Sequence, residues 1–371
     1  MIERTLHPFN RLSRISSALA SFISVLLCAA VPAVAMPDVL DRPAPTGIAL
    51  ERTVLTAIAP AGKRFIAVGE RGTIVLSDDD GKSWRHAKNV PVSVTLTNVH
   101  FPTPTAGWAV GHLGVILHST DGGSTWVRQF DGVRAASSLL DAANKTNNPG
   151  EIANARLFVK DGPNKPFLKV LFQNERHGLV LGAYGLIFYT DDGGATWQPW
   201  LDRLENPGGL HLYDISIGET ETYIAGEQGL LLHSANGFQH FSPMPTPYDG
   251  SYFGLLRISE QELIIYGLRG NALRSDDAGE NWTKVLPGET DSITSGIILR
   301  DGRIILVDQG GQLLVSHDRG RSFIVVKLED VWPFSDLVEA ADGGLILVGS
   351  HGVKRLTTQD LEASLSTDKN K

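Results

Sequence analysis

The chain has almost no cysteine: one residue, Cys28, in 371, which excludes an intrachain disulfide framework. It also lacks an excess of positive charge. Thirty-three basic against 41 acidic residues give a net charge of −8, with no dense basic run, which argues against a general nucleic-acid binder. No segment beyond residue 35 is apolar enough to span a bilayer. No P-loop, dinucleotide-binding fingerprint or Ser-His-Asp arrangement is present. Eleven histidines are scattered without an H-x-x-x-H spacing or a carboxylate cluster, so neither a metal nor a cofactor is expected.

The first 35 residues are distinct. Arg4, Arg11 and Arg14 precede a small-residue apolar stretch from Ile15 that ends Ala33-Val34-Ala35, the pattern of a secretory signal cleaved after Ala35. An N-terminal membrane anchor is the alternative, but Ser16, Ser17, Ser21, Ser24 and Pro32 dilute the apolar run. Leu27 before Cys28 is too large for a good lipoprotein box. Loss of residues 1–35 takes the net charge from −8 to −10. Residues 36–45 read as a leader, and 359–371 as a polar tail.

What the chain has in abundance is glycine, 39 residues, set in a repeat. Gly107–Trp126, GWAVGHLGVILHSTDGGSTW, reads as strand, tight turn, strand, tight turn, aromatic anchor. Aligned on the first position of the G-x-x-G turn, seven copies begin at Gly69, Gly111, Gly182, Gly226, Gly267, Asp308 and Gly349. Their offsets of 42, 71, 44, 41, 41 and 41 residues match the length of a propeller blade. The fold expected over 46–358 is all-β, a seven-bladed β-propeller of four-stranded antiparallel blades. In the second copy the strands A to D are Thr95–Phe101, Trp108–Val110, Val115–Ser119 and Thr125–Phe130. The seventh has only A (335–340), B (345–348) and C (353–357), so Thr46–Arg52 is expected to supply its outer strand and close the ring.

The 71-residue step carries about 29 extra residues between blades two and three. Val133, Ala136, Leu139, Leu140 and Ala143 have helical spacing, and Asn148-Pro149-Gly150-Glu151 resembles a helix start. Residues 131–166 therefore read as a partly helical insert.

Each repeat closes with an Asp box, S-x-D-x-G-x-[ST]-[WF]. The good copies are Ser77/Asp79/Trp84, Ser119/Asp121/Trp126, Thr190/Asp192/Trp197, Ser275/Asp277/Trp282 and Ser316/Asp318/Phe323; Ser234–Phe238 is a decayed copy. A residue set present five times is not a unique active site. Its hydroxyl and carboxylate oxygens suit turn N–H groups, and its aromatic suits burial between sheets. These residues are expected to be structural, with no catalytic set among them.

Because strands alternate in direction, the G-x-x-G turns, the D-to-A connections and the insert share one face, opposite the boxes. The two residues inside each turn vary between blades, on a constant scaffold. Arg71, His112, Tyr184, Gln228, Arg269 and His351 are the candidate partner-binding residues. Taken singly, each also suits an ordinary solvated turn.

The pattern V-G-x-x-G-x-[IL]-x-x-[ST]-x-D-G-G-x-x-W, as in residues 110–126, 181–197 and 68–84, resembles the photosystem II stability/assembly factor family. The resemblance covers about residues 46–358. It implies a lumenal or periplasmic, non-enzymatic chaperone that holds membrane-protein subunits, with a basic patch on one propeller face. Only Arg71 and Arg269 occupy turn positions that contribute such charge here. The expected partner is therefore a protein of a membrane complex.

The boxes are also similar to those of sialidases, which implies an arginine triad and a tyrosine nucleophile. The Arg-Ile-Pro motif of that family has only Lys63-Arg64-Phe65-Ile66 as counterpart, and sialidases have six blades. A secreted glycan-binding protein or another glycosidase is the alternative. It would use two carboxylates, with Glu70, Glu205, Glu227, Asp249 and Asp308 as candidates.

Overall fold

Every repeat folds into an antiparallel sheet whose strands pair in chain order, because each connection is a tight turn between neighbours. The computed structural model describes residues 38–362 except 236, 287–290 and 329–330. The signal segment 1–35 and its cleavage site, the start of the leader, and residues 363–371 of the tail lie outside the described residues. Among the described residues there are seven sheets, six with four strands and one with three. In blade two, strands A to D are Leu96–His100, Gly107–Gly111, Ile116–Ser119 and Val127–Phe130. The A strands stand side by side around the axis, and that of blade seven touches that of blade one. The chain is a seven-bladed β-propeller.

Strand D is two residues long in blades one, three, four and five, and includes Pro199 and Pro243. A short edge carrying proline, which donates no ladder bond, resists pairing with another chain.

The blades are locked by the boxes. In blade two Ser119 Oγ accepts from Gly123 N (2.9 Å), while Asp121 Oδ1 accepts from Thr125 N and Ser119 Oγ. Trp126 is then 1 % exposed, with Nε1 donating to Gly123 O at 2.8 Å. It packs in one apolar cluster with Ile66 and Leu76 of blade one. A Cβ on Gly123 would crowd those same two side chains, so glycine is what lets the box reach the preceding sheet. The arrangement recurs: Trp197 joins the blade-two cluster, Phe241 the blade-three cluster, and Phe323 that of blade five.

The box aromatics are not equally covered: Trp126 and Trp197 are buried, whereas Trp84, Phe323 and Trp282 are half-buried. Trp282 packs on the blade-four cluster. Among the described residues its enclosed indole N–H meets no acceptor, as is also true of Trp197, whereas Trp84 and Trp126 donate to their box glycines. Part of the Trp282 seat is shared. The Met244 thioether from the end of blade four lies against Gly279, where a Cβ would meet it, and so takes part of the space beside the ring. Asn281 also stands where the other boxes carry Ser or Thr. Its N and Nδ2 still donate to Asp277, so the turn itself is kept.

Ring closure corrects a second expectation. Thr46–Arg52 is not an outer strand of blade seven, which has three strands (Phe334–Glu339, Leu345–Gly349, Gly352–Leu356). Residues 50–52 form a single 3-10 turn, with Thr53 N bonded to Leu50 O and Thr53 Oγ1 to Ala49 O. The physical reason is side-chain anchoring. Leu50 packs in the apolar seam of blades seven and one, beside Trp84, Ile346 and Val348, and its carbonyl abuts Gly352. Upstream, the segment is tied to blades one and two by Ala44 N to Val90 O and Ser93 N to Val39 O. Polar ties close the same seam: Arg355 to Asp80 (3.1 Å), Ala341 N to Asp80 Oδ1 (2.7 Å) and Ile58 N to Asp336 Oδ2 (3.0 Å).

The insert is an αα-hairpin, α1 (Gly132–Thr146) and α2 (Pro149–Asp161). Asp131 caps α1 through Val133 N and Arg134 N. Asn147 turns the chain at φ 56°, and Asn148 caps α2, accepting from Gly150 N and reaching Glu151 Oε1 with its amide. Ala135, Leu139 and Ala143 pack onto Phe130, Phe167 and Trp197 over the seam of blades two and three, and Ala136 is buried with them. Val133, grouped with the apolar face by spacing, instead stays exposed. At the other end, Leu361 of the tail is fully buried between blades six and seven.

Two outcomes follow from the boxes. Trp126→Ala should cost about 3–5 kcal/mol in urea unfolding; a loss below about 1 kcal/mol would contradict its role between blades. The second concerns acid. Hydrogen bonds from the Ser83 hydroxyl and backbone hold the Asp79 carboxyl down to about 2. For Asp318, desolvation pushes upward, but the Ser322 bonds outweigh it and the value is again about 2. Folded-state values below the ordinary 3.8 mean a stabilisation that is present above that pH and lost as pH falls toward 2. Thermal melts should show a midpoint dropping through this window, with a shallower drop in the Asp79→Asn/Asp318→Asn double variant. Identical pH profiles for the two proteins would contradict the assignment.

Candidate functional site

The face opposite the boxes begins with one repeated bond. In each G-x-x-G turn the N–H after the first position donates to the carbonyl that precedes strand A: Glu70 N to Val54 O, His112 N to Thr95 O, Ala183 N to Pro166 O, Glu227 N to His211 O. Leu268 to Ser251, Gln309 to Ser292 and Ser350 to Pro333 complete the set, all at 2.9–3.1 Å. A Cβ at Gly69, Gly111 or Gly267 would collide with that carbonyl, which explains the first glycine. One backbone bond thus recurs at all seven turns, and in five of them the third residue also shares a φ between 53° and 59°, while their side chains differ.

Arg71, His112, Tyr184, Gln228, Arg269 and His351 are all exposed on this rim. Arg71, Tyr184, Gln228 and Arg269 have φ between 53° and 59°. His112 precedes the corresponding position, held by Leu113 at φ 57°. His351 sits in a two-residue hairpin turn, with its ring 5.8 Å from Trp332. The six lie one per blade, so the structure sets them on one rim without gathering them into a cluster.

What gathers is a set of rings that repeat reading passed over. Strand A carries a bulge in every blade, at its second residue: Thr56, Thr97, Leu168, Tyr213, Phe253, Thr294 and Ser335. Three of these are threonines that stitch the ring, donating to Leu96 O, Phe167 O and Phe334 O of the next blade. In blades four and five the position is aromatic, and Tyr213 meets Phe253 edge-on at 5.4 Å. His211 links Tyr213 (6.2 Å) to Tyr184 (5.2 Å), giving a continuous line of rings from the third turn inward. The signal was available in the aligned A strands, but a bulge has no sequence signature of its own there.

Tyr184, 52 % exposed, forms one wall of a cleft of about 580 Å³ between α2 and the connection 201–210. Leu157, Phe158, Leu201 and Leu204 give it apolar walls. Lys165 lies in it with Nζ 5.0 Å from the centre of the Phe158 ring and 3.7 Å from Asp161.

The third A-strand position makes the centre polar. Asn98 Oδ1, Asp214 Oδ2 and Asp336 Oδ2 accept from Val170, Leu255 and Ile58 N of the following blade. Lys169 Nζ lies 2.8 Å from Asp214 Oδ1. Desolvation works against that ammonium, ringed by protein though 29 % of its side chain stays accessible, but Asp214 and then Asp336 outweigh it and raise its pKa. Burial pushes the Asp336 carboxyl up, against the bond from Ser295 Oγ. Burial, with Lys169 nearby, pushes His100 down to about 4, so its ring is neutral and Nδ1 accepts from Phe172 N at 3.2 Å. These groups bond blade to blade.

The five glycosidase candidates are spread in the same way. Glu227 pairs with His211 (3.0 Å), Glu205 with His240 (2.6 Å), and Glu70 accepts from Val54 N. Asp308 is buried and accepts from Gln312 N, while Asp249 lies exposed behind the fourth turn. Among the described residues no group of three or more His, Cys, Asp or Glu is placed to hold a metal ion, and no helix is long and apolar enough to cross a membrane.

A family profile described as "Photosynthesis system II assembly factor YCF48" matches residues 158–249. The chain is 30 % identical over 117 residues to the photosystem II assembly lipoprotein Ycf48 of Synechococcus sp. (strain CC9902), 31 % of this chain and 35 % of that protein. It therefore spans about a third of that relative's length. To Ycf48 of Synechococcus sp. (strain JA-2-3B'a(2-13)) it is 24 % identical over 274 residues, 65 % of this chain and 78 % of the other. Among solved structures, "YCF48 bound to D1 peptide" superposes with a TM-score of 0.61 at 16 % identity, over 83 % of this chain and 94 % of that one, a likeness of fold. Seven phased repeats and seven blades make the chain a β-propeller, and these matches show it to be similar to the photosystem II assembly factor Ycf48.

Proposed function

We propose that this chain is an exported, non-enzymatic scaffold that assists assembly or stability of a membrane protein complex by binding a protein partner. The binding face is the one that carries the G-x-x-G turns and the insert. A single observation carries this reading: seven turns held by the same backbone bond present side chains that do not repeat. Rigid scaffolds that vary only their exposed loops are built for recognition. The matched relatives are assembly factors by name, and one solved neighbour is described with a bound peptide. The acidic surface of the exported chain and its aromatic line suit a protein strand better than a polyanion. Export rests on residues 1–35, with the mature chain starting at Met36 in the periplasm, or in the thylakoid lumen of a photosynthetic host.

The test is affinity capture with the tagged mature chain from detergent-solubilised membranes. One defined membrane protein should co-purify in near-stoichiometric amount, and deleting 131–166 should weaken its binding at least about tenfold. Equal capture by the deletion variant would remove the insert face from the account. Hydrolysis of chromogenic glycosides, abolished by one carboxylate substitution, would replace the scaffold reading altogether. Mass spectrometry of the exported protein should place its N-terminus at Met36; an intact residue 1 would contradict cleavage.

A further inference from the structure

We propose that the cleft between α2 and the connection 201–210 is the docking site for an extended, uncharged, apolar peptide segment of a protein partner. The inference rests on the protein-binding reading and names the chemistry of what binds.

Exposed apolar side chains concentrate here. Leu157 is 54 % exposed and Tyr184 52 %, and Val133 and Val159 of the same hairpin are also open to solvent. Solvent-facing leucine and tyrosine opposite Leu201 and Leu204 form a surface that gains by being covered. The wall that carries Leu157 and Phe158 is α2, the second helix of the insert.

Charge in the cleft is already balanced. Lys165 lies 3.7 Å from Asp161 and over the Phe158 ring, with Tyr184 at 5.9 Å, so no net field selects a charged ligand. A charged side chain entering would lose hydration without gaining a free counter-charge. The amides suit a peptide backbone. Asn206 is committed to Leu210 on both its oxygen and its nitrogen. Asn154 and Asn164 stand exposed on the rim, each offering a donor and an acceptor to passing N–H and C=O groups.

Backbone chemistry selects the conformation. A helix keeps its N–H and C=O groups bonded within itself, whereas an extended strand, advancing about 3.3 Å per residue, presents them to Asn154 and Asn164 while its side chains meet Leu157 and Tyr184. Past Tyr184 the line of His211, Tyr213 and Phe253 continues the aromatic surface toward the ring centre, so the segment runs from the insert inward.

Fluorescence anisotropy of the mature chain with labelled decapeptides tests this. The probes are one uncharged sequence of Val, Leu, Ala and Thr and two versions with lysine or aspartate at alternate positions. The uncharged peptide should bind saturably, and both charged versions at least about tenfold more weakly. Leu157→Asp and Tyr184→Ala should each weaken binding at least about tenfold. Val127→Asp, on an equally exposed valine of strand D in blade two, should bind as wild type. Unfolding midpoints of all three variants confirm the fold. Charge-independent binding, no saturable binding, or wild-type affinity in Leu157→Asp and Tyr184→Ala would overturn the proposal. So would self-association in sedimentation velocity that Leu157→Asp abolishes, which would make a second copy the occupant, or glycan binding lost in Tyr184→Ala. Membrane capture that survives both cleft variants sinks this inference and leaves the scaffold reading standing; absence of capture by any form sinks the reading itself.

Discussion

The ring depends on the seating of each box aromatic against the sheet before it. That contact requires a backbone close enough to touch the neighbour, and the box supplies it through a glycine with no Cβ and a turn whose N–H groups are taken up by Ser119 and Asp121 or their counterparts. Burying such a ring is worth several kcal/mol, and the seams of a closed circle support one another. Trp84 applies the same device at the join of blade seven to blade one, where Leu50 adds its side chain. A fourth strand in blade seven is therefore not what holds the circle shut.

With the outer seams apolar, the axis is free to be polar. Threonines at the bulge and Asn98, Asp214 and Asp336 one residue further on bond from blade to blade, so the centre contributes direction rather than bulk burial. Lys169 offsets the carboxylates there, which keeps a desolvated acidic cluster tolerable. The consequence for function is a stiff ring with two unlike faces. One is occupied by boxes and inter-blade ion pairs such as Arg355–Asp80 and Arg319–Glu262. The other carries turns of fixed backbone and free side chains, with the insert laid beside them.

Blade count, strand order, the box motif and the helical insert were legible in the sequence because each rests on local chemistry at fixed spacing: glycine for a turn, Asn148-Pro149 for a helix start, an aromatic every 40 or so residues. Thr46–Arg52 was misread for the complementary reason. Its fate depends on a long-range seam that accepts Leu50, which spacing does not reveal. Trp282 shows the same limit within a motif, since its box is plain in the chain but the Met244 that shares its seat comes from another blade. The cleft was hidden likewise. Leu157 and Leu201 are ordinary apolar residues in isolation, and only the folded ring brings α2 opposite the third connection. Arg71 and Arg269 stand on turns of separate blades, while Tyr184 is one end of a line of rings.

The central claim is that this protein recognises its partner on the face of the G-x-x-G turns. Hydrogen–deuterium exchange of the mature chain, alone and with the captured membrane protein, tests it most directly. Protection should appear in α2, in the connection 201–210 and at the turns around Tyr184 and Gln228, with the boxes unchanged. Protection confined to the boxes around Asp79, Asp121 and Asp318, on the opposite face, would contradict it.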